Sequence, residues 1–321
     1  MKTFRRLTAL KRKRRPIFLA AGFFDGVHVG HGKVIDRTIM AARRARGEAW
    51  VLSFDTHPLN VLDPEHAPRL LTSKAHKLRL LGRLNVDGCI LLPFTRKLAG
   101  TDPETFVRRL VESCPALNMV VVGRNWRFGR RGTGDARLLA RLGRTFGFST
   151  TVVKPVMRRG KPVSSTRIRS VITRGRMAEA EEMLGRPVSL FGSVYRDRQL
   201  GRQLGFPTAN LDFQNEVLPP SGVYAVHAMV RRRLFDGVLN LGVRPTFGRA
   251  SGGLAAELHL LDVNMELYGR GIEVFFVKKL RNERAFASRR ELKLTIARDV
   301  KRARNLFDKV DSRSALPGRP C

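Results

Sequence analysis

The spacing of apolar residues changes character once along this chain, at Gly185, and that change constrains the fold more than any other feature. Before it, short apolar runs at Ile17 to Ala21, Val51 to Phe54, Cys89 to Leu92, Val120 to Val122 and Thr150 to Val153 read as buried strands. Between them, Lys33 to Ala42, Ser73 to Leu84, Pro103 to Ser113 and Arg137 to Phe146 carry apolar residues three and four apart, the spacing of a helix face. Strand and helix in alternation predict an α/β domain, a doubly wound parallel sheet with its ligand crevice at the carboxyl ends of the strands. A helical pattern from Thr166 to Leu184 ends at Gly185, Arg186 and Pro187, which marks the predicted boundary. Beyond it, Val188 to Tyr195, Gly222 to Val230, Leu234 to Leu241, Ala255 to Leu261 and Ile272 to Val277 are strand-like and separated by Gly and Pro turns. They predict a small antiparallel β-barrel closed by one amphipathic helix, about Glu283 to Leu306. The expected organisation is a basic segment 1–16, an α/β domain 17–185, a barrel 186–308 and a polar tail 309–321.

Two cores need enough apolar residues, and 43% of 321 residues suffices. No window approaches the roughly 20 apolar residues of a membrane span, and the basic N-terminus lacks the apolar stretch of a secretory signal. A cytoplasmic protein is expected. Cys89, Cys114 and Cys321 lack metal-ligand spacing, so reduced structural thiols are expected. A net charge of +34 raises the local concentration of any anion without choosing among nucleotides, RNA and acidic membranes. The arginines are scattered and no stacking-aromatic pattern accompanies them, which predicts weak, non-specific polyanion binding and no specific nucleic-acid partner.

The string GFFDGVHVGHGKV, Gly22 to Val34, follows the first strand and opens the first helix. Glycines at 22, 26 and 30 allow backbone amides to approach a phosphate, and the helix start adds donors. His28 and His31 are spaced to donate to phosphate oxygens as charge builds. Downstream, VSSTRIR from Val163 to Arg169 carries an N-cap signal. Together these strings resemble the nucleotidyltransferase module of the bacterial bifunctional FAD synthetases. The resemblance implies an ATP site made of Gly22, Phe23, Asp25, Gly30, Asn125, Ser164, Ser165, Thr166 and Arg169, with His28 and His31 at the transferred phosphate. SFDTHP, Ser53 to Pro58, and VVGRNWRFGRRGTGD, Val121 to Asp135, also fit the family, with Trp126 in place of the usual Phe, Gly32 of a frequent Gln and Thr56 of a common Pro. The implied reaction is attack of an FMN phosphate oxygen on the ATP α-phosphorus, a matter of positioning and charge stabilisation.

In the second half, GRQLGFPTANL, Gly201 to Leu211, resembles the riboflavin kinase signature of the same family. The resemblance implies ATP or flavin contacts at Gly205, Pro207, Thr208 and Asn210, Mg2+ at Thr208 and Asn210, and Glu257 as the base for the riboflavin 5′-hydroxyl. Read without the resemblance, P-T-A-N is also compatible with a turn ending an edge strand. PSGVYAV, NLGVRPTF and AELHLLD follow in family order. One departure stands out: Asp197 and Gln199 occupy places usually held by glycine, which predicts weaker ATP binding at the kinase site. The expected function is ATP-dependent conversion of riboflavin to FMN and then FAD. Two other readings stay open, a nucleotidyltransferase with a flavin-sensing barrel and a basic relative that holds RNA or a membrane surface.

Overall fold

A computed structural model of the chain describes residues 1–196, 205–214, 216–243, 254–263 and 265–309. Its compact units are Met1–Ile168 and Arg169–Cys321, so the division falls inside a helix and ahead of the boundary expected at Gly185.

In the first unit, strands β1 (Lys2–Phe4), β2 (Ile17–Ala21), β3 (Glu48–Phe54), β4 (Gly88–Leu92), β5 (Leu117–Gly123) and β6 (Ser149–Val153) form one sheet. Its order is β1-β4-β3-β2-β5-β6 and every pairing is parallel. Helices α1 (Val29–Arg44), α2 (Pro58–Leu62), α3 (Lys74–Gly82), α4 (Arg96–Ala99), α5 (Pro103–Ser113) and α6 (Ala136–Phe146) connect the strands. Alternation along the strands sends Leu19, Trp50, Leu52, Ile90 and Val120 to the face covered by α5 and α6. Phe18, Ala20, Val51, Cys89 and Val121 go to the face covered by α1 and α3. Both faces are thus buried, which is why these strands read as continuous apolar runs. Cys89 and Cys114 are buried free thiols, and burial pushes each up to about 12. Two findings differ from the sequence expectation. Lys2–Phe4 of the basic leader pairs with β4 as the sheet edge, and Leu10 is wholly buried in the core. The first helix also starts at Val29, four residues earlier than its apolar spacing suggested, because His28 caps it.

A short hairpin, β7 (Met157–Arg158) and β8 (Lys161–Pro162), precedes α7 (Ser165–Thr173) and α8 (Met177–Leu184). The single helical pattern expected over this stretch is two helices, broken where Gly175 takes φ +73°.

In the second unit, β9 (Ser189–Tyr195), β10 (Ala209–Asp212), β11 (Gly222–Val230), β12 (Arg233–Val243), β13 (Leu254–Leu260) and β14 (Gly271–Arg281) close an antiparallel barrel in the order β10-β13-β12-β11-β14-β9. The P-T-A-N string does not end an edge strand: β10 is hydrogen-bonded on both sides and completes the closure. The C-terminal helix spans Arg289–Lys309 rather than Glu283 to Leu306. Ser288 sets that start, since its Oγ accepts from the Glu291 N–H at 3.1 Å while Glu291 accepts from the Ala287 N–H at 3.1 Å.

Candidate active sites

The direction of winding reverses between β2 and β5, so the carboxyl ends of these strands define the crevice of the first unit. The histidine string leaves β2 at that point. His28 is the N-cap of α1, its Nδ1 accepting from the His31 N–H at 3.3 Å. An accepting Nδ1 puts the ring hydrogen on Nε2, where it can donate to an anion. The two imidazoles stack with centroids 3.6 Å apart and planes 14° apart, at the positive end of a sixteen-residue helix.

The turn that presents them is strained. Phe24 and Val27 hold φ of 54° and 39°, a region that costs a non-glycine residue about 1–3 kcal/mol. Gly26 between them has φ +80°, and a Cβ there would stand 2.7 Å from Leu71 Cδ1, so only glycine fits. Several hydrogen bonds hold the shape. Asp25 accepts from the Leu71 N–H, the Thr72 N–H and the Thr72 hydroxyl at 3.1, 3.1 and 3.2 Å, and Gly26 N–H donates to Thr72 Oγ1 at 3.1 Å. The Ser53 hydroxyl donates to the Phe23 carbonyl at 2.9 Å, and the Ser165 hydroxyl to the Asp25 carbonyl at 3.0 Å. The last bond joins the histidine string to the Ser-Ser-Thr string across 140 residues of sequence. Ser164 is the cap, its Oγ accepting from the Arg167 N–H at 3.3 Å, while Thr166 is exposed on the first turn of α7 and Arg169 follows one turn on. Gly22 and Phe23 lie at the end of β2, and Gly30 lies in the first turn of α1. Asn125 is exposed on the turn after β5, at the other strand of the crevice, and takes no part in this web among the described contacts. Trp126 stacks on Phe128 beside it, centroids 4.6 Å apart.

In the barrel, register places Asn210 opposite Glu257 and Glu257 opposite Asn240. Ala256, Leu258 and Leu260 are buried toward the barrel interior, so Glu257 and His259 project from the outer face and are half-buried. Alternation along β13 thus places Glu257 on the outer face. Gly205 and Pro207 are exposed on the turn before β10, and Thr208 is half-buried at its start. A cavity of about 350 Å³ is lined by Pro207, Thr208 and Ala209 together with Leu258, Leu260 and Tyr268. The turn is fastened from β13, where His259 Nδ1 donates to the Pro207 carbonyl at 2.9 Å and its ring meets the Phe206 edge. Asp197 and Gln199 lie outside the described residues.

Sequence reasoning missed Thr72, Lys77 and His259, which brace these turns through backbone groups. The Lys77 Nζ donates to the Phe23 and Phe54 carbonyls at 3.0 and 2.9 Å. Burial pushes its ammonium down to about 8, opposed by the nearby Asp25 and Asp55 carboxylates.

The chain matches two families, FAD synthetase over residues 10–167 and riboflavin kinase over residues 184–307. It is 38% identical over 290 residues to the bifunctional riboflavin kinase/FMN adenylyltransferase of Escherichia coli, covering 90% of this chain and 92% of that protein. The protein of the same description from Pseudomonas fluorescens is 35% identical over 306 residues, covering 95% and 98%. A solved structure described as a macrolide-efflux protein from Streptococcus pneumoniae superposes with a TM-score of 0.79 at 27% identity, covering 94% of this chain and 98% of that one. Among the described residues no helix is long and apolar enough to cross a membrane.

Proposed function

This chain belongs to the family of bifunctional riboflavin kinase/FMN adenylyltransferases, and from that premise we propose how its two sites divide the work. The protein is a bifunctional transferase of FAD biosynthesis: it phosphorylates riboflavin to FMN with ATP, then adenylylates FMN to FAD with a second ATP. The observation that carries the division is the separation of the two residue sets. The histidine turn with Ser164 to Thr166 lies in residues 1–168, and Thr208, Asn210 and Glu257 lie in residues 169–321. We assign adenylyl transfer to a domain spanning 17–185 and riboflavin phosphorylation to 186–308.

In the first site, ATP lies across the carboxyl ends of β2 and β5 with its phosphates at the start of α1. An FMN phosphate oxygen attacks the α-phosphorus, the bond to the bridging oxygen breaks, and pyrophosphate leaves. His28 donates from Nε2 and His31 stands against it, so charge growing on the phosphate oxygens meets fixed donors and a helix start. Ser164, Ser165 and Thr166 supply donors from the second string. Asp25 is better read as a brace than as a ligand, because its oxygens already accept three hydrogen bonds and a carboxylate repels a triphosphate.

In the second site, Glu257 takes the proton from the riboflavin 5′-hydroxyl as that oxygen attacks the γ-phosphorus of ATP, and ADP leaves. Asn210 and Asn240 flank it in register and orient the hydroxyl and the phosphate. The Thr208 hydroxyl and Asn210 carboxamide are hard oxygen donors, which suit Mg2+ when phosphates and water complete its shell. When bound, the ion neutralises charge on the transferred phosphate.

The test is direct. Purified protein with riboflavin, ATP and Mg2+ is expected to yield FMN and then FAD on chromatographic separation of flavins. FAD formed only from added FMN would leave the barrel without its proposed activity.

A further inference from the structure

We propose that Lys77 is a positioning residue for adenylyl transfer, clasping the ends of β2 and β3 together and so holding the phosphate-binding turn in its strained shape. The proposal rests on the histidine turn being the ATP phosphate site.

Lys77 lies in the first turns of α3 and is 1% exposed. Its ammonium has three hydrogens. Two are used by the Phe23 and Phe54 carbonyls, and the group sits 3.9 Å over the centroid of the Phe23 ring. Phe54 is the last residue of β3, and Phe23 immediately precedes the strained Phe24. One side chain therefore ties the segment leaving β2, one wall of the crevice, to the end of the neighbouring β3.

The segment that carries it holds the same turn at a second point. Leu71 and Thr72, just before the Ser73 cap of α3, supply the three donors to Asp25. Three residues of one seven-residue stretch, Leu71, Thr72 and Lys77, thus grip the histidine turn, and α3 converts its own rigidity into the geometry of a loop. A buried ammonium is costly, and a methionine of similar length would fill the same space without that cost. Its presence beside the turn, with both carbonyls satisfied, fits a task that needs donors rather than packing. Lys77 is buried away from solvent, so it acts on substrate through the backbone it holds and through its charge.

The charged and titratable groups facing it are Asp25 on the turn, Asp55 after β3 and the Cys89 thiol on β4, with His57 on the Phe23 ring. Cys89 stays neutral, since burial pushes it up to about 12. Below about 8 the ammonium is charged and adds to the field that attracts a triphosphate; above it that contribution is lost, while a neutral amine still has two N–H groups for its two carbonyls.

The test compares Lys77→Met with the parent and with Ser53→Ala, which removes a bond to the Phe23 carbonyl but leaves Phe54 held. Riboflavin phosphorylation by the same samples serves as the standard of protein quality. Lys77→Met is expected to lower kcat/KM for ATP in FMN adenylylation roughly 10- to 100-fold, as displacement of a positioned group does. Hydrogen exchange should rise in both 22–28 and 55–57 while β2 to β5 stay protected, whereas Ser53→Ala should raise it in 22–28 alone. The parent's kcat/KM for ATP should fall as pH rises through about 8, and the Met variant should lack that step. Activity within twofold of the parent, exchange raised evenly across the sheet, or a persisting step near 8 would each overturn the proposal. If His28→Ala with His31→Ala leaves FAD formation intact, it is the ATP-site reading that fails, independently of Lys77.

Discussion

Asp25→Asn alters one atom and one charge, and the two roles open to Asp25 predict opposite signs for it. Were the carboxylate turned toward ATP, neutralising it would remove repulsion from a polyanion, and ATP would bind more tightly. As a brace it must lose. The amide oxygen can keep the two bonds from Thr72, but the amide nitrogen then meets the Leu71 N–H, donor against donor, at a side chain only 2% exposed. A lost charge-assisted bond and a buried donor without an acceptor together cost about 2 kcal/mol. Expressed wholly in transition-state positioning, that is roughly a 30-fold loss of kcat/KM for ATP in FMN adenylylation. Expressed in stability, it lowers the transition of the first unit by about 4–8 °C. Both tryptophans, Trp50 and Trp126, belong to that unit, so their emission reports its unfolding separately. The assay is FAD formation at limiting ATP, well below the transition, with riboflavin phosphorylation in the same tube as the reference. An unchanged or tighter ATP response would refute the bracing argument.

Other outcomes follow from the same geometry. Glu257→Gln should reduce FMN formation by about 10²–10⁴, the usual span for a general base, and spare FMN to FAD, while His28→Ala with His31→Ala should do the reverse. Loss of both activities in either variant, with circular dichroism unchanged, would count against separate sites. His259→Ala removes the bond to the Pro207 carbonyl, worth about 1 kcal/mol, and should raise the kinase KM for ATP about fivefold. No change there would mean that the turn holds itself. With 61 Lys and Arg against 27 Asp and Glu, the protein should bind heparin and unrelated RNAs alike, with affinity falling steeply as salt is added. Sequence preference, or binding that survives high salt, would be inconsistent with a purely diffuse charge.

The architecture was legible because both halves obey patterns that burial enforces. Phe18, Leu19 and Ala20 send alternate side chains into two different cores, so the whole run had to be apolar and read as a parallel strand. Short elements hid for a related reason. Lys2–Phe4 is an edge strand of three exposed residues with no buried face to set a pattern, so its backbone pairing reveals it. In β10, Ala209 and Leu211 turn inward while Asn210 and Asp212 turn outward, an alternation too brief to outweigh the Pro207 before it. The start of the C-terminal helix was written in Ser288 and Glu291, a capping signal that the apolar period overrode.

The sites were legible only in part, and the part that was hidden has one physical character. The groups proposed to meet a ligand must be particular types in tight local order, so His28, His31, Ser164 to Thr166, Thr208 and Asn210 stand out in short strings. Groups that hold those strings act on backbone atoms, and a carbonyl is the same acceptor whatever residue carries it. Nothing in the sequence near Phe23 announces that Lys77, 54 residues away, bonds to its carbonyl, or near Pro207 that His259 reaches it across 52 residues. Even Asp25, inside the histidine string, suggested phosphate binding by its place while its oxygens accept from Leu71 and Thr72. The positive φ of Phe24 and Val27 explains why such clasps are needed at all. A turn that costs a few kcal/mol to hold relaxes unless distant segments over-determine it, and relaxation would carry His28 away from the start of the crevice. The conformational cost is local, its compensation is long-range, and only the local half is written where the motif is read.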